Sequence, residues 1–253
     1  MAMFHAGLLK NHGTGGDATV MDRADWAERF RTLAHTTRDP RLKAYYLAGA
    51  PAGRTPLKEA PLLALDVETT GLDLARDEVV SIGVVPLSLD RIRASQARHW
   101  LLRPRAPLGH EAVTLHGITE QRVRRAPDLD QVLADVLAQM AGRVLVVHCR
   151  EIERRFLDKA IRERTGEGIE FPTIDTMELE ARLYRRPLPW WKRWFAAPAT
   201  PVSIRLSPSR MRYGLPRYRM HHALTDALAT AELFQAQVAH RFGPETPLSA
   251  LWH

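Results

Sequence analysis

The apolar run Pro61-Leu62-Leu63-Ala64-Leu65 leads directly into Asp66-Val67-Glu68 and stops at Thr69-Thr70-Gly71. A run of this kind ending in a glycine turn reads as a buried strand, which commits the chain to a sheet with layers packed on both faces. Residues two apart on a strand share a face, so Asp66 and Glu68 project side by side. Two carboxylates on a buried strand are costly unless a cation or hydrogen-bond partner compensates them. Hard oxygen ligands of this type suit Mg²⁺ or Mn²⁺. Taken alone, an Asp-x-Glu at a strand end is more often a solvated pair. A second cluster far down the chain, His221-His222-Ala223-Leu224-Thr225-Asp226, changes the balance.

That second cluster reads as a loop entering a helix, because Ala223, Leu224, Ala227, Leu228, Ala231 and Phe234 recur at helical spacing. Asp226 then lies in the first turns, near the positive end of the helix dipole. His221 precedes it by five residues, on the incoming loop. Carboxylates with a nearby histidine are the groups that metal-assisted phosphodiester hydrolysis requires. Two ions about 4 Å apart hold the attacking water and the leaving oxygen, and a base with a pKa near 7 takes the proton.

At these residues the chain resembles the DEDD exonucleases, in the branch whose third motif carries His. That branch includes the proofreading subunit of bacterial replicative polymerases and ribonuclease T. The first motif matches as Leu65-Asp66-Val67-Glu68-Thr69-Thr70-Gly71-Leu72, with Ser81-Ile82-Gly83 on the next strand. The segment from Glu111 to His116-Gly117-Ile118-Thr119 is similar to the stretch before the family's long helix. The second motif resembles residues 146–157, and Ile174-Asp175-Thr176, Tyr213-Gly214-Leu215-Pro216 and the span from His221 to Asp226 follow in the family's order. The resemblance covers roughly residues 61–240. It implies a ribonuclease H-like α/β fold, with a mixed five-stranded sheet flanked by helices. It also implies Asp66, Glu68, Glu153 and Asp226 as ligands of two Mg²⁺ or Mn²⁺ ions, and His221 as general base. Thr69, Thr70, Gly71, Glu111 and His116 match positions that approach the substrate's 3′ end.

The chain departs from the family pattern at two positions. It has Glu153 where the family has Asp, and Cys149 where Asn is usual. The longer side chain reaches about 1.5 Å further, comparable with the tolerance of a metal site. Glu151 is the competing candidate for this ligand, but the frame of His148 and Phe156-Leu157 favours Glu153.

The net charge of +7 is unevenly placed. Residues 181–220 carry ten Arg and Lys and no Asp or Glu, so the remainder of the chain is net acidic. The same window holds Tyr184, Trp190, Trp191, Trp194, Phe195, Tyr213 and Tyr218. Interleaved cations and aromatics suit single-stranded nucleic acid, whose phosphates need charge and whose bases stack. A solvated basic loop with its tryptophans packed onto the domain fits equally, and a tryptophan cluster also suits a protein partner. No apolar stretch approaches 18 residues, which argues against a membrane span. The N-terminus lacks the pattern of a signal peptide. With Cys149 the single cysteine, an internal disulfide is excluded, the reducing cytoplasm is the expected setting, and Cys149 itself reads as a small buried core residue.

Residues 1–60 read as a helical extension and linker. Trp26, Phe30 and Leu33 form one helical stripe, Leu42, Tyr45 and Tyr46 a second, and residues 49–56 a Pro/Gly-rich connection. Its expected role is to pack on the catalytic domain of residues 61–245; like the tryptophan cluster, it is a candidate contact for a protein partner. Strands are expected over 62–67, 79–87, 97–102, 143–148 and 171–175, with helices over 128–140, 151–164, 176–184 and 222–242. Asp175 is expected to make a local turn bond and His148 to close a strand, while His99, His110 and His222 have no evident partner.

The reading is a metal-dependent 3′→5′ exonuclease releasing nucleoside monophosphates from a single-stranded 3′ end of DNA or RNA. A proofreading subunit of a polymerase is one rival, weakened because the chain ends about ten residues after its last helix. A nucleic-acid-binding module that has lost catalysis through Glu153 is the other; the joint presence of Asp66, Glu68, His221 and Asp226 argues against it.

Overall fold

The computed structural model describes residues 25–105, 120–185 and 202–253. Five strands form one sheet in the order β3-β2-β1-β4-β5. They are β1 (Leu62–Thr69), β2 (Val79–Leu87), β3 (Arg98–Leu101), β4 (Val144–Val147) and β5 (Thr173–Asp175). The first three run antiparallel to their neighbours, whereas β4 and β5 add in parallel on the other side of β1. This is the mixed five-stranded sheet expected from the sequence. β1 is the central strand and is buried along nearly its whole length, which accounts for its continuous apolar run.

Three long helices cover the sheet: α4 (Leu129–Met140), α5 (Arg150–Thr165) and α8 (Ala223–Arg241). Each begins within two residues of its sequence-based start. Asp128 caps α4 in a capping box with Gln131, and Arg164 from the far end of α5 grips the same carboxylate through two bonds of 2.7 and 2.8 Å. Asp175 links two further helix starts. Its carboxylate accepts from the backbone N–H groups of Cys149 and Arg150 at the head of α5, and from Met177 and Glu178 in α6 (Thr176–Tyr184). The expected turn bond of Asp175 is therefore a clamp on two helix N-termini, where anionic groups are favoured.

The described part of the extension forms α1 (Trp26–Thr36) and α2 (Pro40–Leu47), capped by Asp25 and Asp39. Trp26, Phe30, Tyr45 and Tyr46 pack on one another, Phe30 edge to face with Trp26 and Tyr46, and join the same hydrophobic core as the sheet. Arg29 pairs with Glu170, and the Tyr46 hydroxyl accepts from the Glu170 N–H at 2.9 Å. The connection over residues 49–56 is tied down as well: Thr55 and Gly53 carbonyls accept from Leu248 and Ser249, and Pro56 bridges Pro247. Residues 252–253 in turn pair with β5. No described helix is long and apolar enough to cross a membrane. Two short helices escaped the sequence analysis, α3 (Glu120–Arg124) and α7 (Leu206–Arg212), because neither is long enough to show a period.

α8 packs on β1 and β2, and one residue controls how closely. A Cβ placed on Gly83 of β2 would come under 3.0 Å from the backbone of Ala223 and Leu224, the first turn of α8. Backbone cannot yield as a flexible side chain can, so only glycine allows this seat. Gly83→Ala should push the head of α8 off the sheet and cost roughly 1–3 kcal/mol, the usual range for overpacking. Thermal melts should show the loss, with a larger drop in any activity that needs Asp226 beside β1.

Candidate active site

Asp66 and Glu68 leave the same face of β1, and Asp226 reaches them from the first turn of α8. One carboxylate oxygen from each of Asp66, Glu68 and Asp226 lies within 4.8 Å of the others. Glu68 and Asp226 are buried, and Asp66 is half-buried. Burial pushes the Asp66 carboxyl well above the usual carboxylate range, and the charges of Glu68, Asp226 and Glu153 push it further. The register of β1 against β2 shifts between Glu68 and Thr69, the kind of bulge found beside functional sites.

Glu153 lies in the first turn of α5 and is 2% exposed. Burial drives its carboxyl well above the usual range, and its Oε2 has no hydrogen-bond partner among the described residues. Glu151, the competing candidate, points elsewhere. Its side chain is 45% exposed and lies 3.8 Å from the Arg150 guanidinium. Glu153 is therefore the glutamate of this motif that acts electrostatically on Asp66. It stands outside the group of three within 4.8 Å.

His221 sits on the loop before α8, exposed, with a left-handed backbone at φ 74°. Its backbone N–H donates to Asp226 Oδ2 at 2.8 Å, tying the loop to the cluster. Beyond β1, Thr69 Oγ1 donates to the Gly71 carbonyl at 2.6 Å. Thr70 uses its N–H on Glu78 O and its hydroxyl on Asp77 Oδ1. That N–H is engaged within the turn. The Gly71 N–H has no recorded acceptor among the described residues. A Cβ on Gly71 would run into the Asp77 carboxylate, so a larger residue here would have to displace that side chain from Thr70. Glu111, His116 and His110 lie outside the described residues, as do Trp190, Trp191, Trp194 and Phe195.

The donor set fits a divalent cation. Three oxygen-bearing side chains converge in a buried space where their mutual repulsion raises the proton affinity of Asp66, and a cation would relieve that repulsion. Asp66, Glu68 and Asp226 are the residues that would hold it.

Comparison with known proteins agrees with this geometry. The family model for exonucleases of the RNase T type matches residues 63–234. The chain belongs to this exonuclease family. Among curated relatives, a PolC-type DNA polymerase III of Thermotoga petrophila is 29% identical over 177 residues, covering 70% of this chain and 12% of that protein. A DNA polymerase III subunit epsilon-like protein of Rhodobacter capsulatus is 30% identical over 181 residues, covering 71% of this chain and 24% of its own length. The chain thus spans a small part of these relatives. Among solved structures, the nuclease domain of 3′hExo, a DEDDh family member, superposes with a TM-score of 0.59 at 18% identity over 72% of this chain and 92% of that domain. Exonuclease X superposes with a TM-score of 0.54 at 23% identity over 74% and 97%. Both share the fold. The family members use divalent metals, in keeping with the acidic cluster.

Several features of this exonuclease site differ from expectation. Cys149 is half-buried at the head of α5 and held at φ 103°, where residues with a Cβ are strained and Asn is better tolerated. Burial, with Glu153 and Asp175 nearby, pushes its thiol up to about 12, so it carries no thiolate at neutral pH. His148 closes β4 as expected, through Nδ1 and Thr176 Oγ1 at 2.8 Å. The basic window is divided. Arg210 is 2% exposed, donates to the carbonyls of Ala229 and Pro216, pairs with Glu232 at 2.6 Å, and lies over Tyr218. Arg212 binds the fully buried Glu180, which also accepts from Tyr213 and Gln237. Within the window that suits nucleic acid, these two arginines hold the fold, whereas Arg217 and Arg219 remain exposed.

Two outcomes are expected. In metal-free protein, the raised Asp66 pKa means that stability falls as pH rises from the unfolded carboxylate value, near about 4, through the folded one. Asp66→Asn removes this penalty. In EDTA it should melt above the wild type at pH 8, with the gap closing toward about pH 4. Separately, Arg210→Ala should cost roughly 1–3 kcal/mol, because the carbonyls of Ala229 and Pro216 lose a donor and Glu232 loses its cation. Arg217→Ala with Arg219→Ala should leave the melting temperature in place.

Proposed function

We propose that this chain is a 3′→5′ exonuclease that hydrolyses nucleic-acid phosphodiesters to nucleoside monophosphates, with Asp66, Glu68, Asp226 and Glu153 as metal ligands and His221 as general base. The meeting of carboxylates from β1 and α8 within 4.8 Å carries the reading. A bound pair of Mg²⁺ or Mn²⁺ ions would supply charge neutralisation at the phosphate and a water poised for attack. The chain's own residues do the rest. The imidazole of exposed His221, on a loop fastened to Asp226, takes the proton of the attacking water. The turn at Thr69–Gly71, braced by Asp77, closes the end of β1, and the Gly71 N–H is positioned to receive the 3′ terminus. Exposed Arg217 and Arg219 precede His221 and offer charge to the phosphates of a single strand.

The resemblance to 3′hExo, which is described as bound to rAMP, and to Exonuclease X, described in complex with 5′ overhanging duplex DNA, supports a nucleic-acid substrate of either sugar type. A proofreading role beside a polymerase is a second reading, favoured by the polymerase names of the relatives that match 70% of the chain. Labelled single-stranded DNA and RNA, incubated with Mg²⁺, Mn²⁺ or EDTA, separate these substrates. Release of mononucleotides from 5′-labelled strands only after stepwise shortening supports the 3′→5′ direction; cleavage that persists in EDTA refutes metal use.

Asp66→Ala and Asp226→Ala should each abolish hydrolysis, a loss of at least about 10³-fold, with the fold intact by circular dichroism. Near-wild-type rates in either would remove the metal assignment. Glu153→Ala should follow them and Glu151→Ala should not. Glu153→Asp should fall short of the native enzyme and need more Mg²⁺ if α5 sits where only the longer side chain reaches.

A further inference from the structure

Three strands line up the relevant residues in a row. Directly opposed residues on antiparallel neighbours share a face, so Asp66, Gly83 and His99 point the same way from β1, β2 and β3. His99 thus stands two strands across from Asp66, roughly 10 Å away along the hydrogen-bonding direction. The bare position between them, Gly83, is where the chain crosses into α8. On one side of that crossing, Asp226 drops toward Asp66 and Glu68. On the other, the His222 ring lies on the His99 ring, with centroids 4.7 Å apart and planes inclined by 31°.

His222 is the residue that enters α8. Its backbone is extended, its side chain makes no cap bond, and it is exposed. His221 beside it is held in a left-handed conformation. His99, by contrast, is partly buried on a sheet strand, and its Nε2 is enclosed with no hydrogen-bond partner among the described residues. Burial, His222 and Arg122 all depress the His99 pKa, keeping the ring neutral, so the rings stack without charge repulsion. The fixed member of the pair is on the sheet and the loosely held member is next to the base.

We propose that His99 is a positioning residue: its ring is the platform on which His222 rests, and through His222 it holds the His221 imidazole over the carboxylate cluster. This rests on the reading of His221 as the general base. A base displaced by about 1 Å loses much of its rate while substrate binding is unaffected. Removing the platform should therefore lower kcat and spare KM.

The experiment compares His99→Ala, His99→Phe, His222→Ala and His221→Ala on a single-stranded oligonucleotide with Mn²⁺. His99→Ala is expected to lose 10- to 100-fold in kcat with KM within twofold. His99→Phe, which keeps a stacking face, should recover to within threefold of the wild type. The double variant of His99→Ala and His222→Ala should be no worse than the poorer single one, because both remove the same contact. His222→Ala alters an exposed side chain and keeps the question open should His99→Ala fold poorly. The histidine ¹H–¹³C spectrum supplies a readout independent of turnover: the His222 ring signals should shift in His99→Ala. An inactive His221→Ala beside a fully active His99→Ala overturns the platform alone. Full activity in His221→Ala overturns the base and with it the purpose of the platform. A loss confined to KM would mean that the ring touches substrate, and equal losses in Phe and Ala would mean that stacking is not the means; either overturns the proposal.

Discussion

The seating of α8 on Gly83 is the contact on which the rest of the site depends. A helix on a sheet normally stands off by the thickness of two layers of side chains, and a carboxylate in its first turn would then be held away from the strand. Where the strand has no side chain, the helix backbone descends onto it, and Asp226 reaches the level of Asp66 and Glu68. The same descent brings His222 onto His99 and leaves His221 hydrogen-bonded to Asp226. One missing Cβ thus sets three relationships at once.

The site that results is a place of stored repulsion. Four acidic side chains act on one another in a space where burial already disfavours charge, and the carboxyls of Asp66 and Glu153 are both pushed up. The fold tolerates this because its surroundings are firmly tied. Asp175 clamps the heads of α5 and α6, Arg164 fastens α5 to α4, and the Thr69–Asp77 turn is internally bonded. Affinity for a cation and instability without one are two aspects of the same arrangement.

The arginine-rich window shows how little a charge count says about where charge is used. Arg210 and Arg212 belong to a window that suits phosphates, yet each answers an acid more than 20 residues away in the chain, the partly buried Glu232 and the fully buried Glu180. Sequence proximity to His221 suggested one role, and packing assigned another. Arg217 and Arg219 are among the arginines of the window left in solvent.

What the sequence by itself determined were the features carried by local periodicity. The alternation and length of apolar runs located all five strands and the long helices, and the Asp-x-Glu on a buried strand marked the end of the sheet where the carboxylates converge. Carboxylates, a histidine and a glycine turn in a fixed order were enough to indicate the chemistry. Other features required the tertiary structure, because they are contacts between segments that no local pattern records. These include the depth at which Glu153 is buried while Glu151 stays half-exposed, and the left-handed strain at Cys149. They also include the pairing of His99 with His222, two residues that had no evident partner in the sequence. A strand register and a glycine 140 residues before α8 bring them together. Chain periodicity is a property of neighbours, whereas electrostatic partnership is a property of distance, and only the folded chain defines distance.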